Sequence, residues 1–261
     1  MRATERLTGA SFNAVRSLLI RGGKVAIAYH DQHVRDVPVR QIQCDEIWSF
    51  IYAKRKNVEF CLTAPRHAGD IWTWTALDAK SKLILSYHVG HRTEYHAKIF
   101  LRDVASRVRP RKRIQVTTDG FPAYQDAVPS AFGRHVDFAQ LVKDFSVNGG
   151  TRKVVRNGYP YPPGINTSYV ERQNLNMRMS MRRFMRKTNG FSKKLAHHAY
   201  MVALYAWHYN FCWIHGTHGL TPAMAAGIDT RLLDIGWMVD VIRAHDPLPG
   251  PRGPYKSRRC D

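Results

Sequence analysis

Gln41-Ile42-Gln43-Cys44-Asp45-Glu46-Ile47-Trp48-Ser49-Phe50-Ile51 is the stretch on which the fold turns. From Gln41 onward short β-rich runs begin, and the first, Ile42 to Ile51, carries Asp45 inside an apolar strand, where an unpaired carboxylate is costly to bury. Residues 60–64, 70–77 and 83–89 read as further strands, the last two flanking the turn Asp78-Ala79-Lys80-Ser81. The period then changes, because Ala97, Phe100, Leu101, Val104 and Val108 recur at helical spacing over residues 94–107. Residues 113–118 return to alternation through Ile114 and Val116. Strands, helix and strand in that order predict an α/β fold with a mixed sheet flanked by helices.

Upstream, a short helix precedes the turn Thr8-Gly9-Ala10, and a second starts at Ser11 as N-cap and is expected to stop at Gly22-Gly23. The pair reads as part of a helix-turn-helix or as an ordinary helical hairpin. Downstream, a short helix over residues 124–127 leads into residues 146–164, whose glycines, prolines and tyrosines predict a long loop. Two helices follow, roughly 168–187 and 192–213, broken at Asn189-Gly190, and the Pro-, Gly- and Arg-rich tail from Pro247 is expected to be disordered.

The 261 residues are 44% hydrophobic, enough for a real core. Forty Lys and Arg against 20 Asp and Glu leave a formal charge of +20, which points to a polyanionic partner, with nucleic acid first. No apolar run of about 18 residues is present to span a bilayer, and the residues after Met1 lead into no apolar secretory segment. Cys44, Cys61, Cys212 and Cys260 stand far apart without a CxxC pair, as expected for reduced thiols in a cytosolic protein.

Three carboxylates stand out. Asp45 needs a partner in its strand. Asp119 ends a strand, where α/β sheets place ligand-binding groups, although Asp119-Gly120 also reads as a plain turn. Glu171 is the only acid between Asp144 and Asp229, in a stretch crowded with arginine and lysine. Ser168-Tyr169-Val170-Glu171 also matches a capping box, which would make Glu171 structural. Capping leaves the lack of other acids unexplained, whereas a phosphate-binding surface with one metal-binding carboxylate accounts for both. Val170, Met177, Met181 and Phe184 form the apolar stripe of this helix. Two Asp on strands and one Glu on a later helix suit two-metal phosphoryl chemistry. Arg178, about two turns after Glu171, lies on the same helix face.

In order, Gln43-Cys44-Asp45-Glu46-Ile47-Trp48, Thr118-Asp119-Gly120, Tyr169-Val170-Glu171-Arg172-Gln173-Asn174 and Thr221-Pro222-Ala223 resemble the DDE transposases of bacterial insertion sequences, closest to the insertion sequence 1 family. Asp45 and Asp119 lie 74 residues apart, and Asp119 and Glu171 lie 52 apart. The resemblance implies a ribonuclease H-like catalytic domain over residues 40–228. A partial helix-turn-helix-like segment would occupy residues 1–36, and a C-terminal helix and basic tail residues 229–261. It implies that Asp45, Asp119 and Glu171 are catalytic metal ligands for Mg2+, with Mn2+ as a substitute, and that Arg178 is the basic residue two turns on. The implied activity is phosphodiester hydrolysis at element ends followed by strand transfer into target DNA. Double-stranded DNA would be the partner, a homo-oligomer would assemble on it, and the location would be cytoplasmic and nucleoid-associated. Full members also carry an amino-terminal zinc-binding segment and a whole helix-turn-helix, neither complete here. The missing part would be encoded elsewhere, or this copy is truncated.

Arg182, Arg183, Arg186 and Lys187 are expected to hold phosphates beside Arg178, and Arg111, Lys112 and Arg113, just before the Asp119 strand, to touch DNA backbone. Two other readings use the same features. A non-catalytic DNA-binding repressor needs only the charge, and a nuclease of the same fold would cut without joining. Cys212, His215 and His218 match no standard zinc spacing and are read as structural. Trp48, Trp72 and Trp74 are read as core in preference to base-stacking groups, and Asp78 as a turn residue.

Overall fold

The computed structural model describes residues 2–109, 113–143 and 150–245. Arg111, Lys112 and the tail from Pro247 lie outside them. The described residues form one six-stranded sheet in the order β3-β2-β1-β4-β5-β6. Its strands are β1 (Gln41–Ile51), β2 (Gly69–Asp78), β3 (Ile84–Gly90), β4 (Ile114–Asp119), β5 (Val136–Lys143) and β6 (Thr151–Asn157). β1, β2 and β3 are an antiparallel meander, β4 and β5 lie parallel to β1, and β6 closes the far edge antiparallel. This is the ribonuclease H-like mixed sheet, and the α/β expectation holds.

Alternation along β1 sends Ile42 and Cys44 to one face and Ile47 to the other. The first face is the main core, closed by α4 (Glu94–Arg107) and α5 (Tyr124–Phe132) through Phe100, Leu101, Val104, Tyr124 and Val128. On the second face α6 (Ser168–Ser180) lies across β1 and β2, and Val170 and Met177 reach the sheet. α7 (Leu195–Phe211) packs at the β3 edge and contributes to both cores, with Trp207 and Phe211 on one side and Val202 and Ala206 on the other.

Several expected boundaries move. The helix capped by Ser11 does not stop at Gly22-Gly23: α2 runs Phe12–His33, following α1 (Arg2–Thr8). A Cβ on Gly23 would lie 2.3 Å from Tyr200 Cβ, and one on Gly22 would lie 3.3 Å from Leu204 Cδ2. These glycines let α2 and α7 approach closely rather than ending the helix. Residues 60–64 are not a strand: after α3 (Arg55–Val58) they form turns, and Phe60 and Leu62 are exposed, with no strand beside them to pair with. The expected long loop contains β6, and β5, which carries no marked alternation, precedes it. The short helix at 124–127 extends to Phe132. α6 ends at Ser180 because Met181 turns extended, after which a 3-10 turn over Arg182–Phe184 places Met181 and Phe184 against Ile47. The chain continues through α8 (Pro222–Ala225) and α9 (Ile235–His245), and no helix among the described residues is long and apolar enough to cross a membrane.

If the glycines serve close approach, Gly23→Ala should destabilise the protein by about 1–3 kcal/mol through overpacking. Gly22→Ala meets the movable tips of Leu204 and Ile242, so it should cost far less and can be offset by the better helix propensity of alanine. Urea denaturation of both variants measures the difference. Equal effects would remove the packing explanation.

Candidate active site

The parallel register of β1 with β4 sets Cys44 beside Thr118, so Asp45 and Asp119 follow side by side where the strand pairing ends. The chain has built β2 and β3 on one side of β1 and now builds β4 and β5 on the other. The cleft therefore opens at a topological switch point, at the carboxyl ends of parallel strands. Gln140, buried on β5, secures this end: its Nε2 donates to the carbonyls of Asp119 and Phe121 at 2.9 and 3.1 Å.

α6 is aimed at the cleft by a side chain of β1. Gln43 Oε1 accepts the backbone N–H groups of Tyr169 (2.9 Å) and Val170 (3.1 Å), two of the free donors at the start of α6, while Gln43 Nε2 donates to Asn166 Oδ1. The capping box is not formed. Thr167 precedes the helix, Ser168 Oγ donates to Asn166 Oδ1, and Glu171 Oε1 accepts from Thr167 Oγ1 at 2.9 Å rather than from an amide of Ser168. One turn further, Asn174 Nδ2 donates to Asp45 Oδ2 at 2.8 Å, the partner that a carboxylate inside this strand required.

Asp45, Asp119 and Glu171 all line one open cavity of about 820 Å³, whose rim includes Arg92, Lys143 and Lys153. The tightest acidic set, however, is Asp45, Glu46 and Asp119, with carboxylate oxygens within 4.8 Å of one another. Glu46 was not singled out from the sequence, and it does not line the cavity. Its side chain is only 2% exposed and lies on the opposite face, where Tyr124 Oη donates to Oε2 at 3.0 Å. Arg92 links the two, pairing with Glu46 Oε1 through Nε and with Asp119 Oδ2 at 2.9 Å through Nη2, its guanidinium 4.2 Å from the centre of the Phe121 ring.

Crowding of like charge shows in the proton affinities. Burial, and then the Asp119 charge, raise Asp45 to about 6, with a smaller push from Glu171. Glu46 rises to about 7 for the same two reasons despite its ion pair, because burial and Asp119 outweigh Arg92. Burial also raises Asp119, opposed by the Phe121 amide and by Arg92. Asp45 and Asp119, half-buried, mutually repelling and open to the cleft, are oxygen donors suited to hard divalent cations.

The expected phosphate-holding residues divide. Arg178, Arg182, Arg186 and Lys187 are exposed, but Arg178 lines a neighbouring basic cavity and not the carboxylate cleft. Arg183 turns inward, donating to Ser192 Oγ and the His197 carbonyl, and burial lowers it to about 10. Arg113 is engaged in a bidentate pair with Asp137. Trp74 is buried as expected, whereas Trp48 is half-buried at the basic cavity. Cys212, His215 and His218 are not among the described residues that gather closely enough to hold a metal ion.

No protein-family model matches the chain. No curated protein matches it. Among solved structures, 87% of this chain aligns with 63% of a chain in the cryo-EM structure of the simian T-cell lymphotropic virus intasome in complex with the PP2A regulatory subunit B56 gamma, at 15% identity and a TM-score of 0.46. This chain thus spans less than two thirds of that one. The fold assignment rests on the strand order and pairing.

Two outcomes follow from this geometry. Because Asp45 binds its proton more tightly folded than unfolded, its ionisation disfavours the fold increasingly as pH rises from about 4 through about 6. Asp45→Asn should therefore stabilise the protein in EDTA at pH 8 by on the order of 1–3 kcal/mol, and the gain should fade toward pH 4. Thermal melts across that range would show it, and a gain independent of pH would contradict it. Gln43→Leu leaves the Tyr169 and Val170 amides without their acceptor and should cost about 1–3 kcal/mol in chemical denaturation.

Proposed function

We propose that the protein is a DDE-type DNA transposase of the insertion sequence 1 kind. In this reading it hydrolyses a phosphodiester at each element end and then joins the freed 3′-hydroxyl to target DNA. The observation that carries this reading is that Asp45, Asp119 and Glu171, far apart in sequence, line one cleft at the carboxyl ends of parallel strands. Asp45, Asp119 and Glu171 would hold Mg2+, or Mn2+ in its place. When bound, such ions supply Lewis-acid activation of the attacking and leaving oxygens. The chain's own residues do the rest. Asn174 orients Asp45, Thr167 orients Glu171, Arg92 fixes Asp119, and Lys143 and Lys153 offer positive charge to a phosphate at the rim. The exposed cations Arg178, Arg182, Arg186 and Lys187 would track the backbone of double-stranded DNA, consistent with the +20 charge. Holding two ends together calls for a homo-oligomer on DNA, and the site of action would be the bacterial cytoplasm at the nucleoid.

The assay uses linear duplexes carrying the DNA that flanks the protein's own reading frame, with Mg2+ or Mn2+. Wild type should yield nicked ends and then joined products. Asp45→Asn, Asp119→Asn and Glu171→Gln should each lower cleavage at least about 1,000-fold, a loss of about 4 kcal/mol in transition-state stabilisation, while still shifting DNA in a gel. Wild-type cleavage in any one variant removes that residue from the site. Cleavage without joined products would favour a nuclease, and binding without any product a repressor.

A further inference from the structure

A second cavity of about 620 Å³ is lined by Trp48, Lys54, Arg55, Lys56, Arg178 and Arg186, with Phe184 and Asp70. Its one carboxylate is already engaged, since Asp70 Oδ1 accepts the Arg55 backbone N–H at 3.0 Å. Trp48 starts an aromatic row: its ring lies 5.8 Å from that of Phe50, which lies 5.0 Å from Phe191. Lysines frame the row, with Lys54 Nζ 5.9 Å from the centres of both Trp48 and Phe50 and Lys193 Nζ 4.2 Å from Phe191. A further cavity shares Arg178, Phe184 and Arg186 with the first and adds the exposed side chains of Met179 and Met185.

We propose that this groove binds an unpaired DNA strand, with a base stacked on Trp48 and phosphates held by Lys54, Lys56, Arg178 and Arg186. Cations alone would suit any nucleic acid, but duplex DNA hides its base faces in the stack. A half-buried flat ring and exposed thioethers among the cations match the two surfaces that a single strand presents. Arg178 ties the groove to the cleft, since it stands seven residues beyond Glu171 on α6, about 10 Å along the helix. The groove thus takes the strand that continues from the cleaved phosphodiester, so this inference deepens the transposase reading and rests on it.

The test is fluorescence anisotropy with labelled 12-nucleotide oligo-dT and a duplex of equal length, in EDTA and in the Asp45→Asn background, so that binding is read without cleavage. Trp48→Ala should weaken oligo-dT at least about tenfold but change duplex binding less than twofold, and Trp48→Phe should recover most of the loss. Lys54→Ala/Lys56→Ala should reduce the log–log salt dependence for oligo-dT by about 1.4, or 0.7 for each phosphate that is no longer neutralised. Circular dichroism and melting confirm that each variant is folded. Undiminished oligo-dT binding by Trp48→Ala, an equal loss for the duplex, or displacement of oligo-dT by polyglutamate at lower charge concentration than by unlabelled oligo-dT would overturn the proposal, the last in favour of an acidic protein partner. Loss of cleavage with intact Trp48-dependent binding would count against the catalytic reading alone.

Discussion

Two carboxylates that repel each other stand side by side because two parallel strands leave them no other place. The pairing of Cys44 with Thr118 determines where Asp45 and Asp119 emerge, half-buried where the pairing ends. Everything else near the cleft answers that repulsion. Asn174 donates to Asp45, the Phe121 amide and Arg92 donate to Asp119, and Tyr124 and Arg92 satisfy Glu46 on the opposite face. The raised proton affinities of all three acids measure how incomplete that compensation is.

The surrounding fold is arranged to hold α6 still. Gln43 ties its first turn to β1, Val170 and Met177 bury its underside, and the turn after Ser180 returns Met181 and Phe184 to the same core. α7 backs this assembly and is itself pressed against α2 at Gly22 and Gly23. A helix held along its length keeps Glu171, Asn174 and Arg178 in a constant row, the first two facing the carboxylate cleft and the third the basic groove.

Much of this was legible in the sequence, wherever local period and burial agree. β1 to β4 and α4 announce themselves because their apolar positions repeat at the spacing of the element they form. β5 and β6 do not, because β6 is a basic edge strand, largely exposed, whose only support is the neighbour it pairs with. Residues 60–64 fail the other way, having strand-like side chains with no strand beside them among the described residues. Among the residues that line the cleft, Asp45, Asp119 and Glu171 were conspicuous because an acid stands out in a strand or in a basic tract. Arg92 and Gln43 could not, since an arginine in a loop and a glutamine in a strand gain meaning only from partners distant in the chain. Glu46 was hidden by its neighbour: alternation sends it to the opposite face from Asp45, and only the end of β4 brings Asp119 within reach of both.

Arg92 has a consequence of its own. One guanidinium serves two acids that belong to opposite sides of the sheet, so the charge it gives to one is withheld from the other. Burial and the Asp119 charge make Glu46 hold its proton more tightly than an ordinary glutamate, and the pair with Arg92 opposes them. A substitution at Glu46 would therefore alter the ion-pair partner of Asp119 without replacing a residue that lines the cleft.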